Sequence, residues 1–210
     1  MTVPAFVLRD LAPHIRGDVL SLGYPDIVAT QEEIESIFNV KPLLRVVNGV
    51  RKPLVETREL FEMLGARFTC VDIHAWRGIE RICDLNVPQD LGKYDLVIDA
   101  GTTEHCFNIG TAIMNAANAV KPGGRIYHGL PLFMMNHGFY NICPTALQSF
   151  YEQNGWRVDF MEARKGGSVK PAKTGRHFEA EAESIVTFMA QRLTARGLTW
   201  PLQQKYRKAA

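Results

Sequence analysis

Short apolar runs alternate with longer amphipathic segments along most of this chain, and this alternation limits the folds that it can adopt. Runs typical of β-strands are DVLSLG (18–23), ARFTCVDI (66–73), KYDLVIDAG (93–101), RIYHGLP (125–131) and WRVDFMEAR (156–164). Apolar residues recur at helical spacing in QEEIESIF (31–38), VETRELFEML (55–64), NIGTAIMNAANAV (108–120) and TALQSFYEQNG (145–155). Strands separated by helices require right-handed crossovers and therefore a mainly parallel sheet. We predict an α/β fold, a doubly wound, mainly parallel sheet with helices on both faces.

The segments between and after these runs complete the prediction. KPGG (121–124) is a strong turn signal and should end the helix that precedes it. We expect a flexible loop around 165–176, because this stretch is polar and rich in Gly and Lys. ESIVTFMAQRL (183–193) allows a helix or a strand, and its β-branched residues favour a last strand. RVVNGV (45–50) is ambiguous, and we treat 1–210 as a single domain.

The composition narrows the possible partners and compartments. The chain has 24 basic and 22 acidic side chains, a balance that argues against a nucleic-acid partner or an anionic membrane surface. No apolar run approaches the ~20 residues that span a bilayer, and the N-terminus lacks the pattern of a signal peptide. The four cysteines contain no CxxC pair, so we expect free thiols. We therefore predict a cytoplasmic protein.

A glycine and several acids stand where the predicted strands end, and open parallel sheets bind ligands at these ends. Gly23 would let the backbone approach a ligand closely, although an ordinary strand-to-helix turn explains it equally well. Asp72 would accept hydrogen bonds from two ribose hydroxyls, with helix capping as the alternative. In CDLN (83–86), Asp84 would accept from the amino group of an adenine while Leu85 packs on the ring, unless the segment is a plain surface loop.

The most crowded strand end is DAGTTEHCFN (99–108), which places two acids, two hydroxyls, an imidazole and a thiol side by side. This stretch is either a catalytic edge or a capped helix start. As a helix start, Thr102 or Thr103 would provide the cap and Glu104 would favour the positive helix end. Cys106 is expected to be an inert thiol.

The chain resembles the class I S-adenosylmethionine-dependent methyltransferases in five segments that follow the order of that family. These segments are VLSLG (19–23), TCVDI (69–73), CDLN (83–86), YDLVIDAGTTEH (94–105) and VKPGGRIYHGLP (120–131). The similarity runs from about residue 18 to 160 and looks closest to a bacterial subgroup with the signature DxGTxEHxFN followed by NHGFY. Members of that subgroup often accompany genes for surface polysaccharide or secondary metabolite assembly. The resemblance implies a bacterial enzyme of small-molecule biosynthesis that methylates O or N of a small metabolite or sugar.

The resemblance also implies S-adenosylmethionine as cofactor. It carries cofactor binding onto Gly23, Asp72, Ile73, Asp84, Leu85, Asp99 and Gly101. The first glycine loop of the family is usually GxGxG, whereas GYPDI (23–27) has a single Gly. Roughly 50 residues separate Gly23 from the end of the second strand, against about 20 in the usual unit. This departure predicts an insertion around 27–52, with Gly49 as the alternative glycine turn.

Methyl transfer requires alignment of donor and acceptor and, for a hydroxyl or amine, a group that takes up a proton. We predict His105 as the general base, oriented by Asp99 or Glu104, and His137 as a second imidazole in a loop over the acceptor. His128 is predicted to be a packed core histidine. Glu104, His105 and His137 are chemically adequate ligands for a divalent ion. No pair of them has the fixed spacing of HExxH, so no metal is predicted.

Two other functions stay open beside a methyltransferase. A methyltransferase-like binding module or partner subunit that has lost the cofactor loop is compatible with the single glycine of GYPDI (23–27). A nicotinamide-dependent oxidoreductase is less favoured, because no GxGxxG follows the first strand. As partners we expect a small-molecule acceptor, neither nucleic acid nor membrane, and we leave a homodimer open.

Overall fold

A computed structural model describes residues 2–45, 53–172, 174 and 177–207. The strands are β1 (Thr2–Val3), β2 (Gly17–Leu22), β3 (Asp26–Ile27), β4 (Leu44–Arg45), β5 (Leu54–Val55), β6 (Ala66–Asp72), β7 (Arg81–Ile82), β8 (Tyr94–Asp99), β9 (Val120–Phe133), β10 (Trp156–Lys165), β11 (Ser168–Pro171) and β12 (Ser184–Arg192). The α-helices are α1 (Ala5–Leu11), α2 (Gln31–Phe38), α3 (Thr57–Met63), α4 (Ile109–Asn118) and α5 (Pro144–Gln153). Single 3₁₀ turns lie at Ala12–His14, Thr103–His105 and Gln204–Tyr206. None of the described helices has both the length and the apolar character needed to cross a membrane.

Eight strands form the main sheet, in the order β11-β10-β12-β9-β8-β2-β6-β7. The five strands from β9 to β7 pair in parallel. Strand β12 enters antiparallel between β9 and β10, and β11 pairs antiparallel with β10 at the edge. The predicted fold class, a doubly wound and mainly parallel sheet, is therefore confirmed, and so is the last strand predicted over 183–193.

Helices cover both faces of this sheet because alternate side chains of its central strands point to opposite sides. Leu96 and Ile98 of β8 pack in one apolar core together with α1, α2 and α3. Val97, between them, packs in a second core with α4 and α5. A strand buried on both faces has to be apolar throughout, which explains why the DLVI run of β8 was readable in the sequence.

The long connection between the first two strands of the main sheet contains a small second sheet. After β2 the chain adds β3, α2, β4, β5 and α3 before β6 begins, and β1-β3-β5-β4 form the second sheet. Helix α2 starts with a capping box, in which Glu33 N donates to Thr30 Oγ1 at 3.2 Å and Thr30 N donates to Glu33 Oε2 at 2.9 Å. Strand β2 is central, since it pairs with both β6 and β8. Gly49 and most of RVVNGV lie outside the described residues.

One turn prediction was wrong in detail. Helix α4 ends at Asn118, before KPGG, and KPGG (121–124) lies inside β9. The register with β8 jumps there, from Tyr94 opposite Val120 to Leu96 opposite Arg125, so the predicted turn is an irregularity within a strand. The loop predicted around 165–176 contains β11, which forms a hairpin with β10 and is exposed along its length. Exposed polar edge strands lack the apolar alternation by which strands are found in a sequence.

Candidate active site

A cavity of about 680 Å³ opens at the carboxyl ends of β2, β6, β8 and β9. This location follows from the parallel sheet, whose strand ends converge on one edge. Nine of the ten predicted site residues line the cavity: Gly23, Asp72, Ile73, Asp84, Leu85, Gly101, Glu104, His105 and His137. Asp99 is the exception. Residues far apart in the sequence are thus brought to one place.

Gly23 ends the central strand β2 in a conformation that other residues rarely adopt, with φ of +74°. Its N–H donates to the carbonyl of Val71 at 2.7 Å. A Cβ at this position would lie 2.8 Å from Thr102 Oγ1, which itself donates to the Leu22 carbonyl at 2.6 Å. The backbone of β2 and the turn after β8 therefore approach each other at a point where only glycine fits.

The two acids after β6 are held by short local hydrogen bonds. Asp72 Oδ1 accepts from His74 N at 3.2 Å, and its other oxygen lies toward Gly23. Asp84 Oδ1 accepts from the backbone N and the side-chain Nδ2 of Asn86, at 2.9 and 2.8 Å. These two donors lower the pKa of Asp84, so it carries a negative charge at neutral pH. Both carboxylates retain acceptor capacity toward the cavity.

Leu85 and Ile73 flank these acids differently. Leu85 is buried, whereas Ile73 is 53% exposed at the mouth of the cavity. An apolar pair beside two carboxylates suits a ligand that has a flat apolar part and hydroxyl or amino groups at its edge.

Asp99 lies below the cavity and does not line it. One of its carboxyl oxygens accepts from the backbone N–H groups of Thr102 and Thr103, at 3.1 and 3.2 Å. The other contacts Thr103 Oγ1 and His128 Nδ1, each at 2.7 Å. Because both oxygens are already occupied, the prediction that Asp99 orients His105 is not supported by the geometry. Asp99 instead fixes the turn that carries Glu104 and His105.

His128 is a core histidine, as the sequence predicted. It is fully buried and bridges Asp99 to the hydroxyl of Tyr151, which lies 2.6 Å from His128 Nε2. The chain Asp99–His128–Tyr151 ties the ends of β8 and β9 to helix α5.

The helix-capping interpretation of DAGTTEHCFN was wrong for the threonines. Neither Thr102 nor Thr103 caps α4, which starts after Asn108, and the Asn108 side chain accepts from Thr111 N at 3.5 Å. Thr103–His105 form a separate 3₁₀ turn. The crowded stretch therefore contains one turn held by Asp99 and a helix cap only at its end.

Three side chains meet at the wall of the cavity, and we call Glu104, His105 and His137 the Glu104 cluster. His137 Nε2 lies 3.5 Å and His105 Nε2 lies 3.8 Å from Glu104 Oε1. The two imidazole rings are 5.4 Å apart between centroids. The adjacent residues Glu104 and His105 approach each other because they share the 3₁₀ turn. The structure thus brings together the three residues predicted to be catalytic.

Burial sets the protonation of this cluster. The Glu104 side chain is fully buried, and burial together with the charge of Asp99 raises its pKa to about 8. The His105 side chain is half exposed, and partial burial followed by the nearby His137 lowers its pKa. His105 is accordingly a neutral imidazole at neutral pH, able to accept a proton. Burial and nearby carboxylates raise the pKa of Cys106 to about 11, which keeps it a thiol.

A loop after β9 places His137 in the cluster. Phe139 N donates to the Glu104 carbonyl at 3.0 Å. A Cβ on Gly138 would lie 2.9 Å from Glu104 Cγ and 3.2 Å from His105 Nδ1. Glycine at 138 is therefore what allows the loop to pack on the turn that precedes α4.

Sequence reasoning missed part of the cavity wall. The missed residues include the N-terminal Thr2, Pro4, Phe6 and Val7, and also Met134 and Ile185. Met134 follows the end of a predicted strand, which was a usable signal. The N-terminal residues gave none, because they reach the cavity through the small second sheet and α1.

The solved structures compared below resemble the chain distantly. No protein-family model and no curated protein matches the chain. Among solved structures, TehB from Haemophilus influenzae is 14% identical with a TM-score of 0.43, over 83% of this chain and 57% of TehB. The DhpI-SAM-HEP complex is 18% identical with a TM-score of 0.47, over 88% of this chain and 83% of DhpI. An S-adenosylmethionine-dependent methyltransferase from Clostridium acetobutylicum is 12% identical with a TM-score of 0.34, over 89% of each chain. At these values the likeness carries no conclusion about function, which has to come from the site.

Proposed function

We propose that the chain is an S-adenosylmethionine-dependent methyltransferase that acts on an oxygen or nitrogen of a small metabolite or sugar. One observation carries the proposal. One cavity is lined by the glycine turn of the central strand, by the carboxylates of two following segments and by a pair of imidazoles. The glycine turn and the carboxylates suit a nucleoside-containing cofactor, and the imidazoles suit an acceptor that must lose a proton.

The residues at the predicted cofactor end of the cavity fit S-adenosylmethionine. Gly23 lines the cavity with bare backbone, and the absence of a Cβ lets Thr102 pack against it at the end of β2. Asp72 has a carboxyl oxygen free of His74 N for the ribose hydroxyls. Asp84 and Leu85 stand side by side for the amino group and ring of an adenine. A volume of about 680 Å³ lies within the range of ligand pockets and leaves room for an acceptor.

When bound, S-adenosylmethionine supplies a methyl group whose bond to the acceptor forms as the electron pair of the broken C–S bond stays on sulfur. The chain has to align the acceptor and remove its proton. His105, a neutral imidazole at the cavity wall, accepts that proton. Glu104 lies 3.8 Å from Nε2, and because its pKa is raised to about 8 it flanks the imidazole mostly as a neutral carboxyl at neutral pH.

Calorimetry with S-adenosylmethionine and S-adenosylhomocysteine tests the cofactor part of the proposal. We expect both to bind at one site per chain. Absence of binding of either compound at millimolar concentration would refute the proposal.

Substitution of His105 tests the proton-transfer part. We expect His105→Ala to bind S-adenosylhomocysteine as the unmodified chain does and to lower turnover at least ~100-fold, the usual loss for a general base. Turnover is measured as labelled methyl groups transferred to a panel of sugars and small hydroxylated or amine metabolites. His74→Ala is the control, because this exposed imidazole packs against Trp76 and lies outside the cluster. Unchanged turnover in His105→Ala would make His105 a structural residue.

The single glycine of GYPDI (23–27) favours a second candidate, a binding module or partner subunit without catalysis. Mass spectrometry of the purified chain distinguishes the two, since an enzyme site of this kind should retain cofactor or its product. A titration with NADH tests the less favoured oxidoreductase. A cytoplasmic location, a homodimer and the absence of nucleic-acid and membrane partners remain predictions.

A further inference from the structure

Glu104 is a buried acid that has no hydrogen-bond partner among the described residues. Its side chain is fully buried, and neither carboxyl oxygen accepts a hydrogen bond from any residue in the described part of the chain. The His137 and His105 nitrogens lie 3.5 and 3.8 Å from Oε1, and neither of them makes a hydrogen bond to it. A buried carboxyl in this state is costly, so either a proton or a cation has to compensate it.

The surroundings of Glu104 suit a cation. One ligand atom each from Glu104, His105 and His137 lies within 4.8 Å of the others. The side chains of His105 and His137 are 50% and 42% exposed, so the cluster faces the cavity and an ion can reach it. Two imidazoles and one carboxylate are ligands that divalent first-row transition metals accept.

We propose that the Glu104 cluster binds one divalent transition-metal ion through Glu104, His105 Nε2 and His137 Nε2. Metal–ligand bonds of about 2.0–2.2 Å put neighbouring ligand atoms about 3–3.5 Å apart, so the two rings have to close in by about 1 Å. Three protein ligands leave at least one coordination position open toward the cavity, as in catalytic metal sites.

The backbone around the cluster is built to hold these ligands. The loop that carries His137 is fixed by the hydrogen bond from Phe139 N to the Glu104 carbonyl, at 3.0 Å. Gly138 permits this contact, since a Cβ there would lie 3.0 Å from that carbonyl oxygen. The turn that carries Glu104 and His105 is fixed from below by Asp99. Ligands held by two separately anchored segments need little rearrangement to bind an ion.

The role of the ion in the reaction rests on the proposed function, whereas ion binding itself does not. An acceptor oxygen at the open position would lose its proton more readily, because a bound cation lowers the pKa of its oxygen ligands. The proton then goes to solvent, and His105 serves as a ligand in the metal-loaded chain.

Metal titration of the full chain tests the proposal. The chain is stripped with a chelator and titrated with Zn²⁺ by calorimetry, and Co²⁺ is added separately to record visible absorption. We expect one ion per chain and a Co²⁺ spectrum of a site with nitrogen ligands. Glu104→Gln, His105→Ala and His137→Ala should each weaken Zn²⁺ binding at least ~100-fold, the upper end of the loss for outer-shell partners. The control His74→Ala should bind as the unmodified chain does.

His137→Ala keeps the test valid if a substitution of buried Glu104 prevents folding, because His137 lies in a half-exposed loop. Equal Zn²⁺ affinity of the unmodified chain and His137→Ala would overturn the proposal. S-adenosylhomocysteine binding is measured on the same stripped chain. Binding of S-adenosylhomocysteine without binding of Zn²⁺ would refute the metal site alone. Binding of Zn²⁺ without binding of S-adenosylhomocysteine would refute the proposed function alone.

Discussion

Asp72→Asn should weaken the binding of S-adenosylhomocysteine by about 10- to 100-fold. Asparagine keeps the size of the side chain, and its carbonyl oxygen can still accept from His74 N, the donor that lies 3.2 Å from Oδ1. The substitution therefore replaces the oxygen that faces the cavity by an NH₂ group. This group is a donor, whereas the ribose hydroxyl opposite it needs an acceptor. A hydrogen bond to a charged group contributes roughly 1.5–3 kcal/mol. At about 1.4 kcal/mol per tenfold change in affinity, and with Asp72 only partly buried, the loss falls within that range.

Calorimetric titration of the variant and the unmodified chain measures this loss. Asp90→Asn is a matched control, because it removes the same charge from an exposed acid that accepts from a backbone N–H two residues on, Gly92 N at 3.1 Å. Asp90 lies outside the cavity wall. Equal affinities of the two variants would refute the argument, since the effect would then come from net charge and not from a contact with the ligand.

Two further predictions concern backbone strain and pH. Gly23→Ala should abolish S-adenosylhomocysteine binding and should destabilise the chain in urea by more than Gly65→Ala does. Gly65 is the control, because it has a similar positive φ of +80° but no atom within 4 Å of the added Cβ. Equal destabilisation by the two substitutions would contradict the clash with Thr102. Asp18→Asn should lower the free energy of unfolding by about 1 kcal/mol at pH 7, since Asp18 pairs with Arg67 and Lys121 at the surface. These partners lower the pKa of Asp18 to about 2 from an unfolded value near 3.9, so the stabilisation is present above pH ~4 and is lost as the pH falls through 2. Urea unfolding at several pH values tests this, and an undiminished difference between the two chains at pH 2 would count against the pairing.

The parts of the fold that were predictable from sequence are those that packing controls. Strand β8 is buried on both faces, and its uninterrupted apolar run identified it without further information. The order of strands and helices then placed Gly23, Asp72 and the stretch after Asp99 at one edge of the sheet. Nine of the ten predicted site residues line the cavity for this reason.

The parts that were not predictable depend on partners that no local pattern reveals. The small second sheet consists of two-residue strands, which are too short to show a period. KPGG lies in a strand, and its Lys121 pairs with Asp18 and Asp95, at 2.8 and 2.9 Å, two acids that come from other strands. Asp99 was assigned to the cavity because it follows a strand, yet its contact with His128 on β9 turns it inward. A sequence shows where a side chain lies along a strand but not which hydrogen-bond donor from another element contacts it.

Asp99 and Glu104 are separated by only one turn, and the difference between them follows from how that turn is built. Asp99 accepts from two backbone N–H groups, one hydroxyl and one imidazole, which are the donors available around the turn. Glu104 is buried above it without a hydrogen-bond partner in the described part of the chain. A fold selected for stability alone would replace such a carboxyl, because an unsatisfied buried acid costs free energy and local rules are broken mainly at functional sites. The Glu104 carboxyl therefore has to be compensated by a proton or by a bound cation. The Zn²⁺ titration distinguishes these two possibilities.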